Sequence, residues 1–152
     1  MEIKTITLLT VEEYRKCQHL IPLIDEWWWL KTPHHNYGDC IRVIHGGRGL
    51  GYTNCFDDDG GVRPLCIFNI DPSVPLFWQR PESLIGAKLK YGKYNWTILN
   101  WEDGVVYALC DKLIATLPYD TETNIWTKSA LEVWLETEGL KIITQRGASD
   151  DS

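Results

Sequence analysis

Trp27-Trp28-Trp29-Leu30-Lys31-Thr32-Pro33 is the stretch on which the architecture turns. Successive side chains of an extended strand point to opposite faces, so the middle indole must face away from its two neighbours. Both sides of such a strand carry aromatic rings, which calls for burial in a two-layer core. Trp28 is accordingly assigned to the interior, with Trp96 and Trp134 and with Leu131 and Leu135. Stacking a sugar or a base on an exposed indole is the alternative use of these rings.

Working outward toward the N-terminus, Ile3 to Leu9 is a β-prone apolar run, and Thr10-Val11-Glu12-Glu13 has the T-x-x-E spacing of a capping box. It predicts a helix over Val11 to Leu20 that stops near Pro22, because a proline restricts the residue before it and donates no hydrogen bond. On the other side, a turn-rich stretch from Thr32 to Gly38 leads into three β-prone pieces: Cys40 to His45, Gly49 to Phe56 and Val62 to Ile70. Gly46-Gly47 and Asp57-Asp58-Asp59-Gly60-Gly61 separate them, as in a β-meander with tight turns. Asp71 to Pro81 holds three of the seven prolines and reads as a joint, spanning 71–83, between a first half (1–70) and a second half (84–144).

The second half opens with Leu84 to Tyr91, turns at Gly92 and continues through Tyr94 to Leu99 and Val105 to Leu109, with Asp103-Gly104 as a hairpin signal. Ser129-Ala130-Leu131-Glu132 is a second capping box, and Leu131, Trp134 and Leu135 recur at helical spacing. Gly139 is expected to end that helix, Leu140 to Thr144 to form a closing strand, and residues 145–152 to be a polar tail. The whole is an α+β fold of short antiparallel strands and two short helices in a single domain over 1–152.

Composition supports one core. The chain has 152 residues, 44% hydrophobic and 12% aromatic with eight tryptophans, so burial of large rings can supply the stabilising term. Fifteen Lys and Arg against twenty-one Asp and Glu give a net charge of −6 with no basic run, which argues against direct nucleic-acid binding. An acidic surface suits a basic protein partner, or serves solubility alone. No apolar stretch has the length of a signal peptide or a membrane span, so no membrane association and a cytoplasmic address are expected. Cys17, Cys40, Cys55, Cys66 and Cys110 form an odd set with no CxxC spacing and read as buried, reduced thiols.

Three motifs in order, Leu8-Leu9-Thr10-Val11-Glu12-Glu13-Tyr14, Trp27 to Pro33, and Gly61-Val62-Arg63-Pro64-Leu65, resemble a domain family of unknown function from intestinal bacteria and their phages. Lys31 and Thr32 stand where that family usually has arginine and serine. The family resembles the C-type-lectin-like fold shared by formylglycine-generating enzymes and by the variable proteins of diversity-generating retroelements. Lys90 to Leu99 and Trp126 to Leu135 resemble the segments that open the usual family domain, yet here they come last. The resemblance therefore implies a circular permutation, or alternatively a homodimer that exchanges halves.

Chemistry-bearing patterns are sparse. His19, His34, His35 and His45 are the only histidine bases, and none sits in a recognisable nucleophile motif. Gly46 to Gly51 lacks the ending and the strand-to-helix context of a phosphate loop. His34, His35, Asp39 and Cys40 are ligand types without the second pair that zinc requires, and Asp57-Asp58-Asp59 lacks the spaced oxygens of a calcium loop. No catalytic residue, metal or cofactor is expected. The leading expectation is a non-catalytic binding module for a protein partner. In related lectin-like folds the segment between the WWWLKTP and GVRPL motifs is the display region, so the resemblance points to His45, Arg48, Tyr52, Asn54 and Phe56 as contacts. A phage-encoded inhibitor of a host defence system such as a CRISPR effector, and a carbohydrate-binding lectin, stand as alternatives.

Overall fold

A computed structural model describes residues 2–46, 49–70, 84–102 and 104–145. The proline-rich joint over 71–83, Arg48 and the tail over 146–152 lie outside the described residues. Among the described residues the chain is mixed α+β. Its strands are β1 (Glu2–Thr7), β2 (Trp28–Pro33), β3 (Cys40–Ile44), β4 (Leu50–Asn54), β5 (Gly61–Val62), β6 (Leu65–Asn69), β7 (Lys88–Tyr91), β8 (Tyr94–Glu102), β9 (Val105–Cys110) and β10 (Ala115–Thr116). They form two five-stranded sheets, β1-β6-β9-β8-β7 and β10-β5-β2-β3-β4. Pairing is antiparallel throughout except where Trp28 of β2 meets Gly61 of β5.

Helix α1 (Val11–Cys17) starts where the capping box places it. The Thr10 hydroxyl accepts from the Glu13 N–H at 3.1 Å, and the Glu13 carboxylate accepts from the Thr10 N–H at 2.8 Å. The α-helical part ends at Cys17, and a 3₁₀ turn over Gln18–Leu20 carries the chain to Pro22. In the second half, Gly104 has φ of +80° and makes the turn of the β8–β9 hairpin.

Two expectations are corrected. The run Val62 to Ile70 is not one strand of a meander: the chain leaves the second sheet after Val62, passes through Arg63-Pro64 and enters the first sheet as β6. Pro64 cannot donate to a ladder, so the break falls there. Nor does Gly139 end the second helix. Ala130–Trp134 is α-helical, Leu135–Gly139 is π-helical and Leu140–Thr144 is α-helical again, so Leu140 to Thr144 is helix rather than a closing strand. This helix over 130–144, α2, buries Leu131, Leu135, Gly139 and Ile143 at a constant spacing of four. Gly139 has helical φ of −60°, and a Cβ there would come within 3.1 Å of the Leu135 and Trp134 side chains. The glycine is a site of close packing, not a stop signal.

The three indoles divide as strand alternation requires. Trp29 enters the larger core, which also holds Ile41, Val43, Phe68, Trp96, Ile98 and the apolar face of α2. Its Nε1 donates to the Leu117 carbonyl at 2.7 Å. Trp27 packs edge-on to Trp29 at 5.0 Å, while Trp28 faces the other way into a second cluster with Tyr14, Leu30, Ile44, Leu65, Leu99 and Leu109. Trp96, Leu131 and Leu135 are fully buried, and Trp134 is half-buried at the edge of the larger core.

Trp28 is capped by a buried arginine. The Arg63 guanidinium lies 4.9 Å from the ring centre, donates through Nε to the Cys110 carbonyl at 2.7 Å and through an Nη to the Pro22 carbonyl at 3.0 Å. Burial lowers its pKa to about 10, with Asp111 nearby pulling the other way. Replacing Arg63 with alanine is expected to lower stability by about 3 kcal/mol, because two carbonyls lose a charged donor and a cavity opens beside the indole. Urea denaturation measures this, and an unchanged midpoint would show the contacts to be dispensable.

Burial also raises the thiol pKa values of Cys66 and Cys110, the latter to about 11, and that of the Tyr119 hydroxyl. An acid whose folded pKa lies above its unfolded value binds more protons folded, so its contribution is complete below the unfolded pKa and is lost as pH rises. Stability should therefore fall from about pH 9 toward about pH 11, the window between an ordinary thiol and Cys110. Arg63, shifted downward, opposes this only above about pH 10. Denaturation midpoints of Cys66→Ala and Cys110→Ala variants should depend less on alkaline pH than those of the parent.

Candidate functional site, an exposed ring stack beside strand β4

The loop between β2 and β3 is short and held at several points. The His34 N–H donates to the Cys40 carbonyl at 2.9 Å, and the Cys40 N–H donates to the Tyr37 carbonyl at 3.2 Å. From the far side of the sequence, the Asn124 amide donates to the carbonyls of both Tyr37 and Cys40 at 3.2 Å. These bonds fix where the loop side chains stand.

His34 is the hub of the arrangement. His35 stacks on it at 4.9 Å with rings 8° from parallel, Tyr37 stacks at 4.8 Å, and Tyr52 of β4 tilts against it at 4.3 Å. Tyr37 and Tyr52 are themselves 5.7 Å apart. Tyr37 is 51% exposed, Tyr52 49%, and Phe56, just past the end of β4, 54%. The Asn36 N–H donates to His34 Nδ1 at 3.1 Å, so Nδ1 is an unprotonated acceptor and any ring proton sits on Nε2. Desolvation, with His35 and Arg42 close by, lowers the His34 pKa and favours the neutral ring.

Of the five contacts expected from the sequence, one belongs to this stack. Tyr52 is part of it. Asn54 is exposed on the same strand and its Oδ1 accepts from the Cys40 thiol at 3.5 Å, while His45 is exposed at the opposite end of the β3–β4 hairpin. Arg48 lies outside the described residues. His34, Tyr37 and Asn124 were not singled out as contacts. The clue to Tyr37 was an aromatic in a turn-rich loop, but only the register Arg42↔Tyr52 brings that loop to β4.

Metal-ligand types do not converge at the stack. The one group of three or more such side chains close together among the described residues is Asp57, Asp58 and Asp59, with carboxylate oxygens within 4.8 Å of one another. The Asp57 carboxylate serves the turn itself, accepting from the Asp59 N–H and from the Thr53 hydroxyl, both at 3.3 Å.

A separate groove of about 310 Å³ lies between α1 and the first sheet, floored by Leu9, Leu65, Leu99 and Tyr107 and edged by Glu13, Lys16, Cys17 and Asn100. It contains no histidine. Burial raises the Cys17 thiol pKa, as it does for the other four cysteines, so none is held as a thiolate. Among the described residues no helix is long and apolar enough to cross a membrane.

No protein-family model matches the chain, and no curated protein or solved structure matches it.

Thiol alkylation of the native protein should modify Cys17 first, because it is the one cysteine not fully buried. Cys66 and Cys110 should react only on unfolding. Mass spectrometry of time points checks the order, and early labelling of Cys66 would contradict the packing described.

Proposed function

We propose that the chain is a non-catalytic binding module that engages a protein partner through the face formed by His34, Tyr37, Tyr52 and Phe56. The observation that carries this reading is the stack in which exposed Tyr37, on a loop whose backbone is held by five hydrogen bonds, meets exposed Tyr52 of β4 beside His34. Large rings held in place before binding lose little entropy on contact, and tyrosine is enriched among residues that dominate interface energies. Asp39, Asp58 and Asp59 are exposed near the same end of the sheet, so the partner surface that fits best has an apolar centre and a basic rim. An intracellular, reduced setting agrees with five free cysteines.

The C-type-lectin-like scaffold with transposed halves belongs to the same proposal. Its support, beside the motif resemblance, is that both halves contribute to both sheets: β6 of the first pairs with β9 of the second, and β5 pairs with β10. A display loop on a scaffold knitted in this way is rigid. An inhibitor of a nuclease-type defence complex is the specific version of this reading favoured by the net charge of −6.

Tyr37→Ala and Tyr52→Ala should each weaken partner binding by about tenfold or more while shifting the melting temperature by only a few degrees. A parallel pull-down from bacterial lysate with parent and variants measures the loss. Retention of the parent on a glycan array, with no protein lost from the variant pull-downs, would replace the protein partner with a carbohydrate. Loss of folding in both variants would place the rings in the core and remove the proposal.

A further inference from the structure

Each sheet has two edges, and three of the four are protected against pairing with another chain. β1 carries Glu2 and Lys4 and a register shift between Ile3 and Thr5, β7 carries Lys88 and Lys90, and β10 is two residues long. Charges, bulges and shortness are the usual devices that keep an edge strand from recruiting a partner. The fourth edge, β4, has none of them. Leu50-Gly51-Tyr52-Thr53-Asn54 has no charge and no proline, and its register with β3 is unbroken from Cys40↔Asn54 to Ile44↔Leu50.

The free side of β4 has a defined hydrogen-bonding pattern. The Cys55 N–H donates to the Asp39 carbonyl and the His45 N–H to the Gly49 carbonyl. Hydrogen-bonded and non-hydrogen-bonded pairs alternate along an antiparallel ladder, so Ile41/Thr53 and Val43/Gly51 are the bonded pairs between these two. Leu50, Tyr52 and Asn54 therefore turn their N–H and C=O groups away from β3. Among the described residues the one bond on that side is from the Asp57 N–H to the Asn54 carbonyl, which keeps a second lone pair.

We propose that β4 pairs antiparallel with β4 of a second copy of this chain, joining the two second sheets across a two-fold axis at Tyr52. The strand is self-complementary in this register. Tyr52 faces Tyr52 of the second copy, each donating to and accepting from the other, and Leu50 faces Asn54 at both ends. Electrostatics leave the pairing unopposed along the strand. The paired strands themselves carry no charge, and antiparallel pairing sets the acidic turns Asp57 to Asp59 of the two copies at opposite ends of the joint, so these turns do not face each other. A closed, isologous contact of this kind forms a dimer and stops. The inference uses the backbone of β4 and does not depend on what the exposed rings bind.

Sedimentation from about 1 µM to about 1 mM protein tests it, with hydrogen exchange of the Tyr52 amide followed at both extremes. The expected result is a monomer–dimer equilibrium in which that amide is protected at high concentration and exchanges freely at low concentration. Tyr52→Pro removes an outward N–H without touching the β3–β4 ladder, and Tyr52→Lys places like charges opposite each other. Each should weaken the dimer about tenfold or more with unchanged circular dichroism. Should the proline variant not fold, the lysine variant decides. A chain monomeric over the whole range, a dimer indifferent to Tyr52→Lys, or a Tyr52 amide protected only by a foreign protein would each overturn the inference.

Discussion

The buried guanidinium of Arg63 is the contact on which the arrangement of the two sheets rests. It caps the Trp28 ring and reaches one carbonyl before the WWW strand and another at the end of β9. Taking an arginine out of water costs several kcal/mol, while two charged hydrogen bonds and a desolvated cation–π contact return a comparable sum. The balance is near zero, so the interaction selects one arrangement more than it deepens the energy well. No carboxylate forms an ion pair with Arg63 among the described residues. Neutral carbonyls fix the fork by direction instead, and both belong to backbone that cannot move without disturbing a sheet or the turn at Pro22.

Around that contact the tryptophan strand works as a partition. Trp29 and Trp28 occupy different clusters, so β2 has no solvent face at its start, and the helices settle on opposite sides of the problem: α2 covers the larger core, α1 the smaller. The β8 strand needs a similar device. Leu99 follows ordinary alternation into the smaller cluster, and the shift in register with β9 between Ile98 and Asn100 returns Trp101 to the side of Trp96 and Ile98.

What could be read from the sequence was local. The capping box at Thr10, the alternation of the three indoles and the Asp103-Gly104 hairpin depend on neighbours within a few positions, and they specify their elements without help. The helix over 130–144 was half legible. Leu131, Leu135 and Ile143 keep the helical period across Gly139, but a glycine there ordinarily signals an end, and only the side chains of Leu135 and Trp134 pressed against it explain its presence. The split at Arg63-Pro64 was hidden because two short strands separated by two residues look like one. The ring stack was hidden for a different reason. His34 and Tyr37 meet Tyr52 through pairing across β3 and through Asn124, far away in sequence, and nothing near His34 distinguishes a hub of stacked rings from a metal ligand.

The passage from one sheet to the other in the two residues Arg63 and Pro64 has a kinetic corollary. With only two residues between them, β5 and β6 are tied so closely that ordering one sheet brings a strand of the other within reach, at the low closure cost of a very short connection.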